Sequence, residues 1–113
     1  NYNRAFSGLD MKLPKLFKDK YSSFHLYVIK IDKSSRNRLF DYLIEKKINV
    51  NLHYLPVHLQ PLYKTMKFKK TDLLNSEEHA LTAISLPMFP DLKKNEQTKI
   101  IRVIKLFFKK NRL

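Results

Sequence analysis

Two runs decide how this chain folds: Phe24-His25-Leu26-Tyr27-Val28-Ile29-Lys30-Ile31 and Ile48-Asn49-Val50-Asn51-Leu52-His53-Tyr54. The first is apolar on both alternating faces, which predicts a strand lying centrally in a sheet. The second alternates. Ile48, Val50, Leu52 and Tyr54 share one face, and Asn49, Asn51 and His53 share the other, so the strand is predicted to pack on one side and make polar contacts on the other. Between the two runs, Ser34 or Ser35 is expected to cap a helix reaching about Lys46. Its buried stripe is Leu39, Phe40, Leu43 and Ile44, at the spacing of one helical face.

Upstream, Tyr2–Leu9 is a short amphipathic stretch closed by Gly8, followed by a Lys/Pro-rich connector through Lys20. Downstream, Pro56 and Pro61 bracket a stiff loop from Leu55 to Tyr63. Asn75 followed by Glu78 has the form of a capping box, opening a helix to about Ala83. Ser85-Leu86-Pro87-Met88-Phe89-Pro90 is predicted to be extended, because a residue before proline is pushed out of the helical region. The last helix, about Lys94–Lys110, is expected to bury Ile100, Ile101, Ile104 and Phe108, with Val103 and Phe107 beside them. Strand, helix, strand, loop, helix, extended segment and helix in that order predict a two-layer α+β domain.

The chain has 113 residues, the size of one domain. It has no Cys, which excludes disulfides, thiolate metal sites and cysteine nucleophiles. Its single Gly excludes a Gly-rich phosphate cradle. No apolar run approaches the ~18 residues of a membrane span. The opening Asn1-Tyr2-Asn3-Arg4 lacks the pattern of a signal peptide and is expected to be the interior of a longer polypeptide. Lys and Arg outnumber Asp and Glu by 23 to 10, a net charge of +13. Such a balance first suggests nucleic acid or anionic lipid. Yet the cations run along the whole chain, through Lys12, Lys15, Lys18 and Lys20, the loop residues Lys67, Lys69 and Lys70, and the last helix from Lys99 to Arg112. That spread fits a solvated Lys-rich surface, with steering of an anionic small molecule as the next reading.

Of the four His, His53 and His58 flank a Pro-containing loop, with Asn51, Tyr54, Gln60 and Tyr63 nearby. Two His without a third ligand are a weak metal signal, and no metal site is expected. Neither a nucleophile nor a paired carboxylate accompanies them, so no self-contained acid–base centre is expected. Two readings stay open: His53 ends a strand while His58 bonds its own loop, or the loop lines a ligand site completed by residues outside this chain. His25 is expected to be a core histidine and His79 a solvated one. Glu77 and Glu78, in a first helical turn, are expected to serve the helix dipole.

The run Asn51-Leu52-His53-Tyr54-Leu55-Pro56-Val57-His58-Leu59-Gln60-Pro61-Leu62-Tyr63 closely resembles a hallmark of the DegT/DnrJ/EryC1/StrS family. These are pyridoxal-phosphate-dependent nucleotide-sugar aminotransferases, and the run resembles part of their C-terminal small domain. His25-Leu26-Tyr27, Arg36 to Leu43, Asn75 to Glu78 and Ile84-Ser85-Leu86-Pro87-Met88-Phe89-Pro90 resemble further family landmarks in the same order, and Tyr2-Asn3-Arg4-Ala5 resembles the end of the interdomain helix. Within the family, the His-Tyr-x-Pro-Val-His-Leu-Gln-Pro-x-Tyr pattern looks most like the branch serving pseudaminic acid synthesis. One departure is Lys47, where the family usually has Gly; a left-handed backbone there costs ~1 kcal/mol.

The resemblance implies residues 1–20 as the helix end and connector and 21–113 as the small domain. It implies a cytoplasmic homodimer that moves an amino group from glutamate to a UDP-linked 4-keto-6-deoxy sugar. His53, Tyr54, His58, Gln60 and Tyr63 would form the substrate-side wall, with Asn51 supporting. The family's Schiff-base lysine, pyridine-facing carboxylate and phosphate ligands lie in a large N-terminal domain, and no lysine here matches that motif. The isolated chain is therefore expected to bind no pyridoxal phosphate and to be inactive, with no nucleic acid or membrane partner. The competing class is a stand-alone basic module for nucleic acid or an acidic partner.

Overall fold

A computed structural model describes residues 1–63, 65 and 73–111. The expected Lys67, Lys69 and Lys70 loop and Arg112 lie outside the described residues. The elements run α1 (Tyr2–Phe6), β1 (Tyr27–Lys30), α2 (Lys33–Glu45), a 3₁₀ turn (Val57–Leu59), α3 (Leu74–Thr82), β2 (Ala83–Leu86) and α4 (Lys94–Lys110). The two strands pair antiparallel with Tyr27 opposite Leu86 and Ile29 opposite Ile84, and helices pack against them in an α+β arrangement. A single backbone bridge extends the sheet on each side, Lys12 to Lys30 and Asn51 to Ser85. β1 therefore has a neighbour on both edges, in keeping with its unbroken apolar run.

Strand periodicity puts Tyr27, Ile29, Ile84 and Leu86 on one face. That face enters the core with Tyr2 and Phe6 of α1, Leu39 and Leu43 of α2, and Ile100, Val103, Ile104 and Phe107 of α4. Residues 2–13 thus share a core with the rest of the domain, while residues 15–20 are exposed. Val28, Lys30, Ala83 and Ser85 form the other face.

Several expectations change. β1 starts at Tyr27 rather than Phe24, because Phe24 has a left-handed backbone (φ 50°) and gives its N–H to Ser22 Oγ. His25 is exposed, not a core residue, since the ladder does not reach it. The predicted second strand reduces to the bridge at Asn51. Ile48 and Val50 are buried as expected, but Leu52 and Tyr54 are exposed, Tyr54 at 72%. The α2 cap is Asp32, not Ser34 or Ser35. Its carboxylate accepts the Ser34 N–H at 2.9 Å and the Ser34 hydroxyl as well. Those bonds favour the charged form and hold the Asp32 pKa below its ordinary value.

Leu39 and Leu43 are fully buried, whereas Ile44 is exposed. In α3, Asn75 lies inside the helix and Leu73 is the N-terminal residue without a side-chain cap, so the capping-box reading fails. His79 is half-buried rather than solvated. α4 has the predicted bounds, but the buried stripe is Ile100, Val103, Ile104 and Phe107, with Ile101 and Phe108 only half-buried. Its cations Lys99, Arg102, Lys105, Lys109 and Lys110 are exposed.

Two chain reversals follow local stereochemistry. Gly8 (φ 84°) ends the α1 turn in the left-handed region open to glycine. Lys47 adopts the same region at φ 57°. The Ile48 N–H bonds Leu43 O and the Lys47 N–H bonds Ile44 O, both at 2.9 Å, the pair of bonds that defines a Schellman helix end. Ile48 and Leu43 are both buried, supplying the apolar contact that accompanies this motif.

Candidate functional site

The Asn51 bridge sets the site. Asn51 N–H donates to Ser85 O at 3.2 Å, and Ser85 N–H donates back to Asn51 O at 2.9 Å. Two residues on, the same side of the chain carries His53, whose Nδ1 lies 2.8 Å from Ser85 Oγ. The Tyr54 ring meets the His53 ring edge-on, with centroids 4.6 Å apart. His53 and Tyr54 form one wall of a cleft of about 370 Å³, closed by Arg36, Pro56, Glu77 and Leu81 among others. Arg36 Nε donates to Leu81 O at 3.1 Å, which holds the guanidinium beside α3.

The loop after Tyr54 is shaped by its own backbone. Leu59 N–H bonds Pro56 O, Gln60 N–H bonds Val57 O and Tyr63 N–H bonds Gln60 O, at 2.9, 3.0 and 2.9 Å. His58 Nε2 stands 2.9 Å from Glu77 Oε1, tying the turn to α3. His58 thus reaches across to a helix rather than only to its own loop, and Glu77 does more than answer the helix dipole. Of the predicted wall, His53 and Tyr54 line the cleft together. Asn51 supports it through backbone bonds, and His58 acts on it through Glu77. The side chains of Gln60 and Tyr63 are half-buried in the loop and do not line the cleft.

Arg36, Glu77 and Ser85 belong to this site and were not singled out for it by the sequence. Ser85 carried one readable signal, a hydroxyl inside an otherwise apolar strand. A wider cleft, about 850 Å³, shares Glu77 and Leu81 of α3 with the first, and there Lys12, Lys30, Asp32 and Glu78 mix charges and no His contributes. Among the described residues, no group of three His, Asp or Glu is placed to hold a metal ion. None of the described helices is long and apolar enough to cross a membrane.

An α+β domain with helices against this small antiparallel sheet is found in solved aminotransferases. A DegT DnrJ EryC1 StrS aminotransferase from Brucella abortus superposes with a TM-score of 0.83 at 33% identity, covering 95% of this chain and 28% of that one. PseC of Helicobacter pylori, an aminotransferase involved in the biosynthesis of pseudoaminic acid, superposes at 0.83 with 26% identity, covering 96% of this chain and 30% of that one. The chain belongs to the DegT/DnrJ/EryC1/StrS aminotransferase family, whose sequence model matches residues 1–105. The pleiotropic regulatory protein of Geobacillus stearothermophilus is 37% identical over 85% of this chain and 26% of its own length. This chain therefore spans between a quarter and a third of these relatives.

The family is pyridoxal-phosphate-dependent, and a solved relative is in its PLP form. Seating that cofactor takes a lysine amine in a cavity, a phosphate anchor and a partner for the ring nitrogen. The described residues around the His53 cleft include no lysine, so no amine is placed there to hold the cofactor, and Arg36 gives its Nε–H to Leu81 O. They do not fit the cofactor by themselves, and no step through it is derived from them.

Proposed function

We propose that this chain is the C-terminal small domain of a pyridoxal-phosphate-dependent nucleotide-sugar aminotransferase. The whole enzyme moves an amino group from glutamate to a UDP-linked 4-keto-6-deoxy sugar, in surface-glycan synthesis of the pseudaminic acid type. It works as a cytoplasmic homodimer, with residues 1–20 ending the interdomain helix and 21–113 forming the small domain. Family membership and the likeness to the H. pylori aminotransferase support this reading. The observation that carries it is the pairing of His53 with Tyr54 on one wall of a cleft whose lining holds no lysine.

An imidazole and a phenol are hydrogen-bonding partners suited to sugar hydroxyls and an amide. His53 and Tyr54 contact the sugar. His58, Gln60 and Tyr63 hold the loop against the substrate side, and Asn51 fixes the strand end. The cofactor and its lysine come from the large domain, so this domain binds, orients and excludes water. The test is to read and express the coding sequence upstream of Asn1. The expected result is a Schiff-base-lysine domain and a full-length enzyme that aminates the UDP-4-keto-6-deoxy sugar with glutamate, while the 113-residue chain does neither. Turnover by the 113-residue chain alone with pyridoxal phosphate would overturn the proposal.

A further inference from the structure

Ser85 is 6% exposed, a buried polar residue among the described residues on the sheet face opposite the core. Its backbone N–H and C=O are both engaged by Asn51, so its hydroxyl is what remains to be satisfied. Among the described residues the hydroxyl meets one partner, His53 Nδ1, at 2.8 Å, and no buried side-chain polar atom is left without a partner. A buried hydroxyl proton needs an acceptor. An Nδ1 that carried a proton could not accept it, and the hydroxyl proton would then be orphaned. The arrangement that satisfies both groups has Ser85 O–H donating to an unprotonated Nδ1.

From this we infer that Ser85 is a positioning residue: it locks His53 as the tautomer protonated on Nε2, making the ring a hydrogen-bond donor toward the cleft. A neutral imidazole carries one donor and one acceptor nitrogen, and the bond made by one nitrogen sets the role of the other. With Nδ1 committed to Ser85 on the sheet side, Nε2–H is the nitrogen left for the cleft that His53 lines. The group it recognises is an oxygen acceptor, such as a carbonyl or a hydroxyl oxygen of the ligand. The adjacent Tyr54 ring stands edge-on to the imidazole, with centroids 4.6 Å apart.

The tautomer is independent of which ligand binds; its use in recognition rests on the sugar-aminotransferase reading above. The test is a ¹⁵N–¹H long-range correlation spectrum of the histidine rings in the 113-residue chain above the imidazole titration range. The expected pattern is protonation on Nε2 for His53, mixed tautomers in Ser85→Ala and restoration of the single form in Ser85→Thr. A wild-type His53 protonated on Nδ1, or a tautomer untouched by Ser85→Ala, would overturn the inference without any variant having to retain activity. In the full-length enzyme with the UDP-4-keto-6-deoxy sugar, Ser85→Ala is expected to raise KM about tenfold with kcat within about twofold, the cost of one misaligned hydrogen bond. An unchanged KM would remove the recognition role. No turnover of that sugar by wild type, with the Nε2–H tautomer in place, would reject the substrate reading and leave the positioning role standing.

Discussion

His58 Nε2 lies 2.9 Å from Glu77 Oε1, a contact that joins the Pro-stiffened loop to the first turn of α3. His58 is largely buried while the Glu77 side chain is partly exposed. A double-mutant cycle of His58→Ala and Glu77→Ala is expected to give a coupling of about 1 kcal/mol in urea denaturation, the scale of a partly exposed pair. Additive single-mutant effects would show that the loop is held by its own turn alone.

Lys47 occupies the left-handed region at φ 57° while its N–H and that of Ile48 complete the end of α2. Lys47→Gly removes the Cβ penalty and keeps both backbone bonds. The variant is expected to be more stable by about 0.5–1 kcal/mol, after the entropy that glycine adds to the unfolded chain. A thermal melt of the two proteins side by side measures it.

Phe107 is buried against the core and Phe108 only half so, the reverse of what the apolar spacing of α4 suggested. Phe107→Ala is expected to cost about 3–4 kcal/mol, and Phe108→Ala about half as much. Equal losses in denaturant midpoints would mean that α4 is rotated from the packing described above.

Tyr2 donates its hydroxyl to Pro87 O at 3.0 Å. Burial pushes its pKa from 10.0 up to about 12, with the neighbouring Tyr27 adding to the rise and a hydrogen bond with Gln97 opposing it. The folded state thus keeps a proton that the unfolded chain releases above pH 10. The stability from this group is complete below pH 10 and is lost as the pH climbs toward 12. Tyr2→Phe is expected to be about 1 kcal/mol less stable at pH 7, for the lost hydrogen bond. That deficit shrinks above pH 10 and reverses before pH 12, because ionisation of Tyr2 favours only the unfolded wild-type chain. A pH-independent difference in melting temperature would contradict the assignment.

The helices and the first strand were legible in the chain, because each depended on neighbours close in sequence, whereas the second strand formed at Ala83–Leu86, where a helix end and an extended piece were expected, and not at 48–54. The α4 bounds matched, Gly8 closed its turn, and Lys47 took the left-handed backbone expected where the family has glycine. Capping was less legible. Asp32 was the better acceptor, a carboxylate two residues before the serine whose N–H it takes. α3 begins one residue before Asn75, leaving that side chain inside the helix.

By itself, then, the sequence determined an α+β domain, the apolar segments that pack, and the stretch from Asn51 to Tyr63 that carries the polar residues of the site, but not which segment pairs with β1. These follow from periodicity, from proline and glycine stereochemistry, and from the residues that can or cannot be hidden from water. Only the tertiary structure decided which of those polar residues meet. His53 and Ser85 are separated by 32 positions, and His58 and Glu77 by 19. No local pattern encodes either contact. Both depend on the backbone bridge between Asn51 and Ser85 and on how the loop lies against α3, and each brings together polar groups that local pattern keeps apart.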